Sequence, residues 1–444
     1  MSIITLQLGQ CGNQVGGQLF SFIMDDLHAS VSSLNIPPKA NGEYIHETQK
    51  TFFSEQKKSP VPAARAVMVD METKAVSQTL AEAKRSGRWI YPEKKQLLQK
   101  RGSGNNWAHG FCINGPAVRD DILEMVQGEV EKCDRLGGFL SLLSLAGGTG
   151  SGVGAFVTEI LREEFPYAFM MNQVVWPYQT GEIIVQNYNA VLTLSNLYQT
   201  ADAIMVMEND ELHKICTQLL GIKKISFRDI NKVLSHKLAS FLLPAQTKEF
   251  PLGRELGWKL QHLAPHPDHK LLTIRNIPQM SERALEFSTY QWAGLLKHLR
   301  QMLIADAPME EGIDWQVKVE ETPRGTARHN RSLAASLILR GKDSYSADPG
   351  IFRDQSLFTP WMSPDMAFNV ATQPRSFSGY EKSAVLVSNS RSAIRPLDQI
   401  LEKAWNMFAS RAYVHQYIQR GLSEEDFLDA FVMLEQVVAS YKKL

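Results

Sequence analysis

With 444 residues, 44% of them hydrophobic and 21% charged, the chain has apolar surface enough for about three packed units at ~150 residues each, which excludes a disordered composition. Its 47 basic and 47 acidic side chains cancel, and basic residues come only in short pairs such as Lys57-Lys58, Lys94-Lys95 and Lys223-Lys224, so no nucleic-acid partner is expected. No uninterrupted apolar run approaches the ~18 residues that span a bilayer, so no membrane partner is expected either.

In chain order, Ile3 to Leu8 predicts a buried strand, then a loop opened by Gly9 and a helix from about Gln14 to His28. Residues 30–60, polar and broken by Pro37-Pro38, predict a long surface loop. Ala66 to Val69 predicts a strand ending at Asp70, Val118 to Lys132 a helix, and Phe139 to Leu145 a third strand with glycines directly after it. Ala155 to Phe165 predicts a helix, and Asn172 to Trp176 a strand stopped by Pro177. This alternation is that of an α/β domain with a parallel sheet, whose ligands gather at the carboxyl ends of the strands.

Further on, Phe227 to Leu243 predicts a long helix ended by Pro244. Residues 245–270, rich in Pro, His and Gly, mark a domain boundary. A second α/β unit follows to about residue 390, with strands at Leu333–Leu339 and Ala384–Val387. Near the end, Ser423 and Asp426 have capping-box spacing, and Phe427, Phe431, Leu434, Val438 and Tyr441 form a helical stripe that must pack on the body of the protein. The expected organisation is a nucleotide-binding domain over 1–225, a central helix over 226–245, an intermediate α/β domain over 246–390 and a C-terminal helical region over 391–444.

The strongest local signal is Ala146-Gly147-Gly148-Thr149-Gly150-Ser151-Gly152, set between a strand and a helix. Glycines allow close approach, so successive N–H groups and the helix start can converge on an anion. Thr149 and Ser151 could add hydroxyl donors. A Walker A loop would need Lys after the last glycine, and Val153 stands there. Gly150-x-Gly152-x-x-Ala155 fits a loose dinucleotide fingerprint, hence a nicotinamide-dependent oxidoreductase, but no acid follows the next strand as that reading requires. A tight turn alone would not need four glycines in six residues.

Beside these stand GQCGNQVG at 9–16, VDME at 69–72, GSGNNWAHG at 102–110 and the pair Tyr188-Asn189. Together with GGTGSG, in this order and near this spacing, they resemble the tubulin superfamily over essentially the whole chain. The resemblance implies a Rossmann-like GTP-binding domain with a parallel sheet, GTP or GDP as ligand, and Mg²⁺. It assigns nucleotide contacts to Gly9, Gln10, Cys11, Gln14, Asn105, Ser144, Ala146, Gly147, Gly148, Thr149, Gly150, Ser151, Gly152, Glu182 and Gln186. Asn209 and Asn231 would read the purine, and Phe227 would stack on it.

Phe227 stands where conventional tubulins usually have Tyr, and Gln186 where many have Glu against the ribose. Asp70 and Glu72 suit Mg²⁺, directly or through water, or are simply helix-start acids. Asn105 and Asn106 fit either turn positions or ligand donors, and the resemblance favours Asn105. Cys11 reads equally well as a plain buried cysteine.

In that family an acid on the loop after the central helix activates hydrolysis in the neighbouring subunit. Here the gapless alignment puts Trp258 at that position, with Glu255 three residues earlier as the nearest acid, so weak or absent GTPase activity is expected. The prolines among His262, His266 and His269 argue for packing or surface roles over metal binding. The four cysteines form no C-x-x-C pair and the start shows no secretory leader, so reduced thiols inside the cell are expected. The end of the sequence carries no acidic tail.

The segments FCINGP at 111–116, WAGLLKHLRQML at 292–303, EKSAVLVSNS at 381–390, KAWNMFASRAY at 403–413 and EEDFLDAF at 424–431 resemble the delta branch of the superfamily. That implies a structural or assembly role for triplet microtubules of centrioles and basal bodies and for cilia. Implied partners are epsilon-tubulin, α/β-tubulin and centriolar proteins. Implied locations are the cytoplasmic cytoskeleton, centrosome and cilium, with the nucleus as a further one. A polymerising GTPase of the α/β-tubulin kind is the alternative within the fold.

Overall fold

The computed structural model describes residues 1–29, 36–56, 59–181, 183–247, 255–280, 290–319 and 329–444. The chain divides into two compact units. One comprises Met1–Ser21, Gln49–Asp210 and Ile394–Ser440, the other Phe22–Thr48, Glu211–Ala393 and Tyr441–Leu444.

In the first unit the strands are β1 (Ser2–Leu8), β2 (Phe53–Gln56), β3 (Ser59–Ala64), β4 (Ala66–Asp70), β5 (Gln96–Leu98), β6 (Leu136–Ser144), β7 (Met170–Trp176) and β8 (Ala203–Glu208). β2 and β3 form a small antiparallel ribbon. The other six lie side by side in the order β5-β4-β1-β6-β7-β8, every neighbouring pair parallel. All residues of β1, β4 and β7 are buried, as a parallel sheet covered on both faces requires. The strand order reverses between β1 and β6, and a crevice opens at such a switch point beyond the carboxyl ends of the strands.

The second unit carries β9 (Gln246–Thr247), β10 (Leu271–Ile277), β11 (Ser332–Gly341), β12 (Phe368–Gln373) and β13 (Lys382–Ser390). They lie in the mixed order β10-β13-β11-β12-β9, with β11 and β12 the parallel pair. The helix Trp292–Ile304 buries Leu295, Leu299, Met302 and Leu303 in a core shared with Leu337, Leu339 and Leu386.

Two local expectations need correction. The first helix runs Gly9–Leu27 and leaves β1 with no intervening loop, because Gly9 at φ +69° turns the chain at once. Within 30–60 the described residues form the helix Pro38–Phe52 and then β2 and the start of β3, where a loop was expected. Pro38 supplies the pre-set φ of a first helical position, and the helix buries Asn41, Tyr44, Thr48 and Phe52. Two of those four are polar, so hydropathy alone hides the stripe.

The C-terminal stripe behaves as expected. Ser423 and Asp426 form the reciprocal cap, with Asp426 N–H to Ser423 Oγ at 3.1 Å and Ser423 N–H to Asp426 Oδ2 at 2.7 Å. Phe427 packs edge-on to Tyr188 at 5.1 Å and Phe431 stacks on Trp405 at 4.3 Å. Among the described residues no helix is long and apolar enough to cross a membrane.

Candidate functional site

At the switch point three backbone segments meet where side chains would not fit. A Cβ on Gly9 would lie 2.7 Å from the nitrogen of Gly150, and one on Gly12 would lie 2.0 Å from the carbonyl oxygen of Leu142. Residues 102–110 press on the glycine loop as closely, since a Cβ on Gly110 would stand 2.2 Å from Gly148 O and one on Gly152 2.3 Å from Trp107 O. Gly147 is different: the nearest atom to its Cβ position is Asn105 Oδ1, at 3.8 Å. The loop is thus packed along its back and open at Gly147.

Hydroxyls hold this loop from within. Ser144 Oγ accepts from Ala146 N–H at 3.3 Å, Ser151 donates to the Gly147 carbonyl, and Thr149 Oγ1 pairs with Ser103 Oγ at 3.0 Å. Ser103 in turn accepts from Asn114 Nδ2 at 2.9 Å. The Ser151 hydroxyl is therefore engaged in loop structure, while in the Thr149–Ser103 pair either oxygen can be the donor. Main-chain N–H groups, the helix starts at Gly9 and Thr149, and the Thr149 hydroxyl are what the loop region can offer an anion.

The two neighbouring asparagines divide in role. Asn106 is buried and its Oδ1 accepts from His109 N–H at 2.9 Å, which starts the following helical turn. Asn105 is exposed, sits at φ +53° and faces Gly147. Gln10, Cys11 and Gln14 lie on the first turns of the helix that leaves β1. Gln10 is exposed, and Cys11 and Gln14 are half-buried. Burial pushes the Cys11 thiol up to about 12, so it stays protonated and acts as a small neutral side chain.

Asp70 ends β4, next to the end of β1 through the pairing of Leu8 with Val69. Asn13 fixes this corner, its Nδ2 donating to Gly9 O at 2.8 Å and Val69 O at 3.3 Å. Burial raises the Asp70 carboxyl to about 6, against the opposing pull of the Glu72 N–H. Among the described residues its buried Oδ2 has no hydrogen-bond partner. A half-satisfied buried carboxylate next to an exposed one, Glu72, fits a hard divalent cation held partly through water. The donor set as a whole fits a phosphate chain.

Gln186 is buried at the start of the helix Gln186–Thr200 and donates from Nε2 to Tyr178 O at 2.9 Å, pinning the strand-end loop. Asn209 follows directly on β8. Glu182 lies outside the described residues. In the second unit, Phe227 and Asn231 stand one turn apart on the helix Phe227–Leu242, which Ser226 and Asp229 cap reciprocally. Phe227 is 61% exposed and Asn231 is buried. Glu255 occupies the cap position of the helix Leu256–Leu263, and Trp258 on that helix stacks on His262 at 5.6 Å.

Sequence reasoning gave no role to Asn189. Its Nδ2 donates to Asn105 O at 2.8 Å and to Ala146 O at 2.7 Å, while its Oδ1 accepts from Trp107 N–H at 3.0 Å and Tyr417 O–H at 2.6 Å. One buried amide thus joins both loops. The Tyr188-Asn189 pair was the available signal, but only as a resemblance.

The Tubulin delta chain of Macaca fascicularis is 52% identical to this chain over an alignment of 456 positions that covers all of both proteins. The chain belongs to the tubulin family. The Tubulin/FtsZ family GTPase domain matches residues 2–217, the stretch that holds the glycine loop, Asn105 and Asp70. The Tubulin delta chain of Homo sapiens is 51% identical with the same full coverage. The Tubulin beta-1 chain of Glycine max is 28% identical, with 99% of this chain and 95% of that protein covered. The family's GTPase domain implies a guanine nucleotide, GTP or GDP, as the ligand of this tubulin.

Proposed function

We propose that this tubulin is of the delta type and holds GTP or GDP as a structural or assembly subunit for centriolar and basal-body microtubules and for cilia, with weak or absent GTPase activity of its own. The observation that carries the nucleotide reading is the meeting of residues 9–12, 102–110 and 147–152 at the reversal of strand order, with Gly147 left open and facing Asn105. In this reading main-chain N–H groups of residues 146–152 bind the phosphates, with Gly9, Gln10, Cys11, Gln14 and Asn105 around them. Gln186 and Glu182 serve the ribose side. Asn209 and Asn231 read guanine, since one amide can serve both its O6 and its N1/N2 hydrogens, and Phe227 stacks on the ring.

Asp70 and Glu72 would hold Mg²⁺, which neutralises phosphate charge when bound. For hydrolysis, Glu255 is the candidate acid in trans. Trp258 cannot act as acid or base, which supports poor activation of a neighbour. The delta-type role rests on identity of 51–52% over full length to delta chains, against 28% to a beta chain. Other tubulins, epsilon-tubulin among them, are the expected partners.

The test is to purify the protein under native conditions, identify the nucleotide it carries, and follow a tagged copy in ciliated cells. Guanine nucleotide and a signal at centrioles and basal bodies are expected. Adenine or nicotinamide nucleotide would overturn the ligand. A diffuse signal, or one along all microtubules, would overturn the role.

A further inference from the structure

We infer that Tyr417, on the short C-terminal helix Val414–Ile418, is a positioning residue for the phosphate loop and acts through Asn189. The inference rests on the nucleotide reading above and deepens it. Tyr417 and Asn189 are both wholly buried, and the tyrosine hydroxyl donates to Asn189 Oδ1 at 2.6 Å. That oxygen also takes Trp107 N–H, while the two hydrogens of the same amide go to the carbonyls of Asn105 and Ala146. With two donated and two accepted bonds the amide is saturated, so its orientation is fixed. Exchanging its oxygen and nitrogen would break all four.

Tyr417 is itself held in place by strained backbone. Arg411 and Tyr413 have φ +53° and +62°, left-handed values that side-chain-bearing residues adopt at a cost. The carbonyl of Ala412, between them, accepts from Tyr188 O–H at 3.0 Å. The rings of Tyr188, Tyr417 and Phe427 pack edge-on at 5.1–5.5 Å. Tyr188 thus secures the bend that delivers Tyr417, and its neighbour Asn189 receives the hydroxyl. Through these two residues the C-terminal helices set the carbonyls that flank Asn105 and Gly147, where the phosphates are proposed to lie. The bond is short and both partners are wholly buried, so its loss is felt at both loops.

The test compares ligands that differ only in phosphate. Guanosine and GTP are titrated against ligand-stripped wild type and Tyr417→Phe, which removes the hydroxyl and keeps the ring. The variant is expected to bind GTP roughly ten-fold more weakly, the worth of one buried hydrogen bond, and guanosine unchanged. Equal loss for both ligands would mark a merely structural role and overturn the inference, as would unchanged GTP binding. Should the variant fail to fold, Tyr188→Phe, which frees Ala412 but leaves Asn189 intact, is expected to shift the same ratio by a smaller factor, and an unchanged ratio there overturns the inference. Wild type that binds no GTP would instead refute the nucleotide reading itself.

Discussion

Glu72 donates its main-chain N–H to Oδ1 of Asp70 at 3.3 Å, while the buried Oδ2 of the same carboxylate has no partner among the described residues. This half-satisfied acid gives the first prediction. Its folded pKa of about 6 lies above the 3.8 of a free aspartate, so the native state binds more protons than the unfolded chain between those values. Stability of the nucleotide-free protein therefore falls as pH rises from about 4 to above 6, by on the order of 3 kcal/mol at most. Asp70→Asn should flatten that fall in thermal melts and raise the melting temperature at pH 7. The same variant should lose the strengthening of GTP binding by Mg²⁺. Retained Mg²⁺ dependence would exclude Asp70 as a cation ligand.

A pair of glycine substitutions separates packing from ligand contact. Gly12→Ala places a methyl 2.0 Å from a main-chain oxygen that cannot swing aside, and should cost several kcal/mol or prevent folding, about the upper range for overpacking. Gly147→Ala meets only Asn105 Oδ1 at 3.8 Å, so its melting temperature should stay near wild type. Its affinity for GTP should nevertheless drop at least about ten-fold, because the methyl enters the space proposed for phosphate. Normal affinity in Gly147→Ala would move the phosphates elsewhere.

Phe227 is 61% exposed, so Phe227→Ala should change stability by under about 1 kcal/mol. Its effect on GTP affinity should be about 1–3 kcal/mol, the worth of one base–aromatic stack. Asn231→Asp replaces an amide that donates and accepts by a carboxylate that only accepts, and should sharply weaken GTP. Calorimetry on both variants decides. Unchanged binding in either removes that residue from the base contacts.

In the second unit, burial lowers the Lys259 amine to about 7, with Arg340 adding to the effect and Glu47 opposing it. Its Nζ donates to Phe241 O at 2.7 Å. The unfolded chain binds the extra proton between about 7 and the 10.5 of a free lysine, so this residue makes stability rise with pH across that window. Lys259→Met should therefore stabilise the protein most at pH 6–7, with the gain shrinking toward pH 10. A gain independent of pH would contradict the buried amine as its cause.

Much of the first unit was legible because its strands are predominantly apolar runs punctuated by glycine and proline, the pattern of a sheet covered on both faces. The helix Pro38–Phe52 was not, since its buried face spends Asn41, Tyr44 and Thr48 on polar contacts. Tyr44 O–H donates to Asp26 at 3.0 Å, and Asn41 accepts from Arg375 at 3.0 Å, a residue distant in the chain. Among the site residues, the glycine loop announced itself through composition. The distinction between Asn105 and Asn106 needed backbone geometry, and the four-bond role of Asn189 depends on partners up to 228 positions away, which no local pattern encodes.

The most direct test of the central claim is isothermal titration of ligand-stripped, refolded protein with GTP, GDP and ATP in the presence of Mg²⁺. Saturable heat with GTP or GDP and none with ATP is predicted. No heat with either guanine nucleotide, or equal heat with ATP, would contradict it.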